Sequence, residues 1–363
     1  MSNSKHRKYK AIAYIPLLLF MFLSTSGCAK EQIINQVSLI QNIGIDTHKN
    51  AYKVTAAYAT YGKETRMHIL NGTAHTINES LISLTQQSDY PVAIGQTNTI
   101  FIHEHLARSG ISDLASTIVR DPLVSNLSTI VIAKPKASTI LSASSKYSPD
   151  FLFNLIKNNM TNGNIPQTNS HSFLDQYFGE GQDVSLPIIK IQPDGTFHIN
   201  GVGVFRKDKL ALLLSNDESL ALKLLMDKKK TMSAIYEFKS DRNEFISYKI
   251  VNAKRRINMT NNQINISLKI NADLRDYPKR FKIHNHYADI HKLRKIMESN
   301  LNDEVLALLH RLQKNKTDPV GFGKLARSNQ RTWSEQAFMR SAYPKLTFII
   351  KSEIHITQMG VGY

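Results

Sequence analysis

The chain has 363 residues, 42% of them hydrophobic, which is enough apolar material for two or three cored domains. Its single cysteine excludes an internal disulfide framework and any Cys-based zinc cluster, and a charged fraction of 21% excludes a polytopic membrane protein. The formal charge of +17 leaves a basic, multidomain globular protein.

Lys5, Arg7, Lys8 and Lys10 form a positive leader, and no acidic residue precedes Glu31. The apolar run 11–23 follows, broken by Pro16. At 1.5 Å per residue it reaches about 20 Å, short of a hydrocarbon core of about 30 Å, so it fits a signal-peptide hydrophobic region rather than a membrane span. Ser24, Thr25, Ser26 and Gly27 then lead to Cys28. Small residues before a lone cysteine resemble a lipobox, with Thr25 where leucine is usual. Residues 1–27 are expected to be a signal peptide and Cys28 the site of lipidation.

Beyond an extended or loosely helical arm at 29–40, Tyr52, Val54, Ala56 and Tyr58 show the period-2 alternation of a strand, and Gly72 ends a second one. Residues 76–87 have helical spacing, 91–95 read as a short buried strand, and 100–109 read as a helix stopped by Gly110. Residues 127–133 are β-branched and read as a buried strand. The polar stretch 158–187 reads as a loop or linker. Strands at 188–191 and 196–199 flank the turn Pro193-Asp194-Gly195, with a third strand at 202–205. A helix spans 217–227, ended by Lys228, Lys229 and Lys230. From Tyr236 the chain is strand-like again, with Ile257 and Met259 pairing across an Asn261-Asn262 turn to the alternating run Ile264, Ile266, Leu268, Ile270. Residues 288–314 carry one apolar stripe in steps of three and four, a long amphipathic helix. Strands return at 346–350 and 354–356. The expected fold is α+β and multidomain, with mixed or antiparallel sheets and packed helices. Its three domains are an N-terminal α/β-type domain at 28–187, a small α+β domain at 188–235, and a C-terminal α+β domain at 236–363 whose long helix packs on an antiparallel sheet.

No catalytic group is nominated by any motif. His103-Glu104-His105 and His284-Asn285-His286 lack the spacing of a zincin and read as exposed polar histidines, so neither a metal nor a cofactor is expected. Gly201-x-Gly203 and Gly321-x-Gly323 are too short for a dinucleotide fingerprint; the latter pair suits a turn needing positive φ. Lys254-Arg255-Arg256, Lys279-Arg280-x-Lys282 and Lys292-x-Arg294-Lys295 are basic clusters. In an exported protein they read first as a solvated face and next as charge toward an anionic lipid surface; no nucleic-acid partner is expected. Trp333 reads as a core or interdomain anchor.

With these segments laid out, the chain resembles the Ger(x)C family, the C-subunit lipoproteins of nutrient-germinant receptors in spore-forming bacteria. The blocks that carry it run in order: Ile43-Gly44-Ile45-Asp46, Tyr52-Lys53-Val54-Thr55, Thr76-Ile77-x-Glu79-Ser80-Leu81, Leu106-Ala107-x-x-Gly110-Ile111, Arg120-Asp121-Pro122, Ala133-Lys134, Gly201-Val202-Gly203-Val204-Phe205-x-x-Asp208-Lys209-Leu210 and Glu218-Ser219-Leu220. The most specific block follows the long helix, Asp318-Pro319-Val320-Gly321-Phe322-Gly323, and precedes the only tryptophan, Trp333. The resemblance implies a non-catalytic lipoprotein held by acylated Cys28 on the outer face of the spore inner membrane. It implies two integral-membrane partners, the A- and B-type receptor subunits, and germination in response to small nutrients. The rival is a solute-binding lipoprotein of an uptake transporter, which needs two lobes closing on a cleft.

Overall fold

Alternating apolar residues become paired strands from Ser38 onward in the computed structural model, which describes residues 37–60, 66–120, 127–227, 231–283, 286–328 and 332–359. The expected signal peptide, Cys28, the three lysines 228–230, His284, Asn285 and the Asp121-Pro122 part of its block lie outside the described residues.

Strands β1 (Ser38–His48), β2 (Ala51–Thr60) and β3 (Arg66–Ala74) form an antiparallel meander. The two-residue β4 (Val92–Ala93) pairs in parallel with the start of β1. Three further strands then stack in parallel beside β1: β5 (Thr99–His103), β6 (Thr129–Lys134) and β7 (Ser185–Ile191). Antiparallel hairpins through β8 (Phe197–Arg206) and β9 (Lys209–Leu214) complete the order β3-β2-β1-β5-β6-β7-β8-β9. The central strands are buried on both faces, as parallel strands under two helical layers must be. Ile100, Ile102, Ile130, Ile132 and Ile188 face one core, shared with α1 (Ile77–Leu84), α2 (Glu104–Ser109) and α3 (Ser112–Arg120). Phe101, Val131, Ala133 and Ile189 face the other, covered by α4 (Ala137–Ser144) and α5 (Phe151–Asn162). Phe173 of α6 (Ser170–Phe178) belongs to the first core, and Leu220 and Leu224 of α7 (Asn216–Met226) to the second.

A second sheet has the order β10 (Thr231–Lys239), β11 (Phe245–Thr260), β12 (Gln263–Asp276), β13 (Thr347–Met359). Between its last two strands run α8 (Tyr287–Lys314) and the shorter α9 (Phe322–Ser328). The α8 stripe of Leu293, Met297, Leu301, Val305, Leu308, Leu309 and Leu312 is buried, and the core it joins is continuous with the α4–α5 core of the first sheet. α8 also reaches the outer edge of β13. The Ser352 N–H donates to Asn302 Oδ1 at 2.9 Å, and the Ile354 N–H donates to Glu298 Oε1 at 3.0 Å.

The α+β class and the long C-terminal helix are as expected, while several local expectations give way. Residues 100–103 are the strand β5, and helix begins only at Glu104. The stretch 158–187 holds the end of α5, all of α6 and the start of β7 rather than a loop. Residues 202–205 continue β8, and the third strand of that unit is β9. The expected boundary at 187/188 falls inside β7, whose ladder to β6 makes 185–214 part of the first sheet. Finally, β13 pairs with β12 in parallel, because α8 carries the chain back along the sheet before it re-enters.

Candidate functional site

The blocks that carry the resemblance meet one another instead of lining a cleft. In β1, a Cβ on Gly44 would stand 3.0 Å from Ala137 Cβ, so glycine lets α4 lie close to the sheet. Two residues on, buried Asp46 caps that helix: its Oδ1 accepts from the Ala137 N–H at 2.8 Å and its Oδ2 from the Ser138 N–H at 2.9 Å. Gly110, at φ +141°, ends α2, and the Ile111 N–H donates to the Asp208 carbonyl in the β8–β9 turn at 2.9 Å. Ser215 and Glu218 form a capping box at the start of α7. Glu218 is then held by Arg311 of α8, whose other amino group donates to the Leu213 carbonyl at 3.0 Å.

The segment after α8 forms a buried clamp. Asp318 is 1% exposed; its Oδ1 accepts from the Gly321 N–H at 2.9 Å and its Oδ2 from the Gly323 N–H at 2.8 Å. The Asp318 N–H donates to Asp183 Oδ2 at 2.6 Å, and the Asp183 N–H returns to the Asp318 carbonyl at 2.9 Å. Gln182 Nε2 donates to the Pro319 carbonyl at 2.7 Å, the Lys324 N–H to the Gly181 carbonyl at 2.9 Å, and the Gly181 N–H to Glu335 Oε1 at 2.7 Å. These bonds tie the approach to β7 in the first sheet to the approach to β13 in the second. Burial pushes the Asp318 carboxyl up to about 7 against the pull of the Gly323, Phe322 and Gly321 amides, and pushes Asp183 up to about 6.

Gly321 has the positive φ expected of it, +89°, whereas Gly323 serves a different need. A Cβ on Gly323 would stand 2.6 Å from Gly181 Cα, and one on Gly181 would stand 2.5 Å from the Gly323 carbonyl carbon. Two backbones touch here. Trp333 packs on the same core, 6.3 Å between ring centroids from Phe338, with the Arg327 guanidinium 5.9 Å from its ring. The receiving half of the clamp, Gly181, Asp183 and Glu335, carried no signal in the sequence beyond a glycine-containing polar run.

His103 ends β5 and His105 lies in the first turn of α2, their rings stacked with centroids 6.0 Å apart. Glu104 between them is committed to Arg108 at 2.6 Å and Lys134 at 2.8 Å. Burial alone would raise its carboxyl, but the hydrogen bonds from Lys134 and Arg108 outweigh it and hold the group below its ordinary value. Among the described residues no group of three or more His, Cys, Asp or Glu could hold a metal ion. His286 is exposed just before α8. The basic clusters part company. Arg280, Lys292 and Lys295 converge with Arg242 and Phe281 on a cavity of about 410 Å³, where Glu244 holds Arg280 through a paired contact at 2.6 and 2.9 Å. Lys254, Arg255 and Arg256 line a separate cavity of about 600 Å³ on β11. No described helix is long and apolar enough to cross a membrane.

Set against known proteins, residues 30–191 match the sequence model of the spore germination protein N-terminal domain, and residues 200–360 match that of the spore germination B3/GerAC-like C-terminal domain. Spore germination protein GerQC of Bacillus cereus is 28% identical over 356 residues, covering 95% of this chain and 98% of that one. The putative spore germination protein YfkR of Bacillus subtilis (strain 168) is 22% identical over 342 residues, covering 86% of each. The crystal structure of the GerBC protein has a similar fold, with a TM-score of 0.55 at 17% identity over 90% of this chain and 100% of that one.

Proposed function

This chain belongs to the GerAC-like family of spore germination proteins, and from that premise we propose that it is the membrane-anchored, non-catalytic lipoprotein subunit of a nutrient-germinant receptor. In this role it is required for spores to germinate in response to small nutrients. The observation that carries the proposal is the extent of the family match, from ahead of β1 to the end of β13, with its blocks in order.

The physical role follows from the leader. Acylation of Cys28, followed by removal of residues 1–27, would hold the globular body on the outer face of the spore inner membrane. Each buried CH₂ contributes about 0.8 kcal/mol, and two or more chains give lasting attachment. Confinement to that layer raises the effective concentration of the body beside its A- and B-type integral-membrane partners without any new contact. A non-catalytic role is supported by what the perturbed acids do: the Asp183 and Asp318 carboxylates accept hydrogen bonds from backbone amides of the clamp. A core continuous between the two sheets and a clamp that ties them together favour this role over a solute-binding lipoprotein, whose lobes must open and close.

Replacing Cys28 by Ala in the producing strain tests it. The variant should leave the membrane fraction, and spores carrying it should lose their response to particular nutrients while vegetative growth is unchanged. Unaltered membrane partitioning would remove the anchor. A growth defect with normal germination would remove the receptor role.

A further inference from the structure

The second sheet is closed on one side and half open on the other. β10 pairs with β11 only from Lys239↔Phe245 to Thr231↔Asn252. β11 continues for eight more residues, 253–260, bonded to β12 on its inner side, and no described strand pairs with its outer side. Alternate main-chain N–H and C=O groups of an antiparallel strand point to each side, so this stretch presents a row of donors and acceptors about 27 Å long that has no partner strand among the described residues.

The side chains around that edge are not neutral. Lys254 and Arg256 point to the exposed face, opposite Lys269 and Ser267 of β12, and neither has an acidic partner among the described residues. Lys269 has only the exposed Glu353, at 3.4 Å. On the inner face Arg255 donates through Nη2 to the Met226 carbonyl at 3.0 Å, with its buried Nε left without a partner. Nearby Asp227 is already engaged by Lys223 at 3.5 Å and by the Gln167 N–H at 2.9 Å. Farther along, Ile257 and Met259 sit partly buried at the margin of the core. The cavity of about 600 Å³ is lined along β11 by Ala253, Lys254, Arg255 and Arg256, with Ser267 and Lys269 of β12 beside them and Asp227 at its margin.

From this we infer that residues 253–260 of β11 are a docking edge for an extended segment of a partner protein, which adds as a strand and carries acidic side chains at alternate positions with apolar ones between. Main-chain pairing supplies attachment, and the side chains supply choice. Acidic residues on the outer face meet Lys254 and Arg256; apolar residues on the inner face cover Ile257 and Met259. The inference goes beyond the receptor role, since it concerns the chemistry of the bound strand and its test requires no receptor.

Hydrogen exchange of the full chain tests it, with a synthetic peptide alternating glutamate and valine as probe. The peptide should slow exchange at alternate amides within 253–260. The same peptide with alternate amides N-methylated should give no protection, because its charge is kept while its ladder bonds are lost. The double variant Lys254→Glu, Arg256→Glu, with a circular dichroism spectrum matching the parent, should bind the probe about tenfold more weakly or worse. Equal binding of the methylated peptide would reduce the site to a polyanion patch and overturn the inference. Slow exchange, before any peptide is added, at those amides of 253–260 that face away from β12 would mean the chain covers its own edge, and would overturn it too, as would failure of the probe to protect these outward amides.

Discussion

Gly323 has no positive φ to explain it; what it approaches is Gly181. A methyl group on either would enter the other's backbone, which cannot swing aside as a side chain would. Gly323→Ala should therefore cost about 2–3 kcal/mol, the range for overpacking a site that cannot yield. Gly321→Ala meets only the flexible Gln182 side chain at 3.3 Å and suffers from its positive φ, so it should cost about 1 kcal/mol. Urea unfolding followed by the fluorescence of Trp333 would rank the two, and a reversed order would refute the close-approach explanation. The acids of the clamp give a second test. Asp183 and Asp318 are both raised, chiefly by burial, so the folded chain keeps protons that the unfolded chain has already released. Between the unfolded carboxylate value of about 4 and the folded value of about 7, this makes the free energy of unfolding fall as pH rises. Below that window both states are protonated and the contribution is at its full favourable value. In Asp183→Asn the urea midpoint should decline less steeply across the window than in the parent; an equal or steeper decline would contradict the assignment.

Among the elements, α4 depends on a residue outside itself. Its own N-cap position, Lys136, makes no side-chain bond, and Asp46 of β1 supplies both acceptors. Asp46→Ala should cost about 1–2 kcal/mol and expose the first turn of α4 to faster amide exchange, readable residue by residue. The cap shows what could and could not be read from the chain. Ile43-Gly44-Ile45-Asp46 was visible as a block, but its partner lies in a helix far along the chain, and no local pattern announces it. Periodicity served where one face of an element is wet. β12 and α8 each show a polar side, and each lies where the alternation or the stripe placed it. It failed at 100–103 because Ile100, Phe101 and Ile102 are buried on both faces of a central strand, where an apolar run has no period to read. It failed again at 158–187, where Asn-rich composition suggested a loop. The helix there is set by the Asn169–Ser172 capping box and by Phe173 in the core, so the same polar residues that suggested a loop close its first turn. Strand direction was also hidden: the alternation of β13 is the same whether it runs with β12 or against it, and only the return through α8 decides.

At the scale of the whole molecule, one apolar core runs from Phe101 and Val131 under the first sheet to Ile264 and Leu301 under the second. With the clamp and the Glu218–Arg311 pair bridging the same halves, the second sheet has no core apart from the one it shares with the α4–α5 side of the first. Unfolding should be a single transition: far-ultraviolet circular dichroism, which reports both sheets, and Trp333 fluorescence, which reports the clamp, should share one midpoint. Two separated midpoints would show that 38–214 and 231–359 melt independently.

The bonds from Asn302 and Glu298 to the outer side of β13 carry one more implication. Fibrous aggregates grow when each incoming molecule leaves a fresh template behind it, which demands receptive borders at both flanks of the sheet. Here one flank is stoppered at its middle by the protein's own helix. A guest strand at the opposite flank would thus join a sheet whose far border is already engaged at Ser352 and Ile354, which works against end-to-end growth of this sheet.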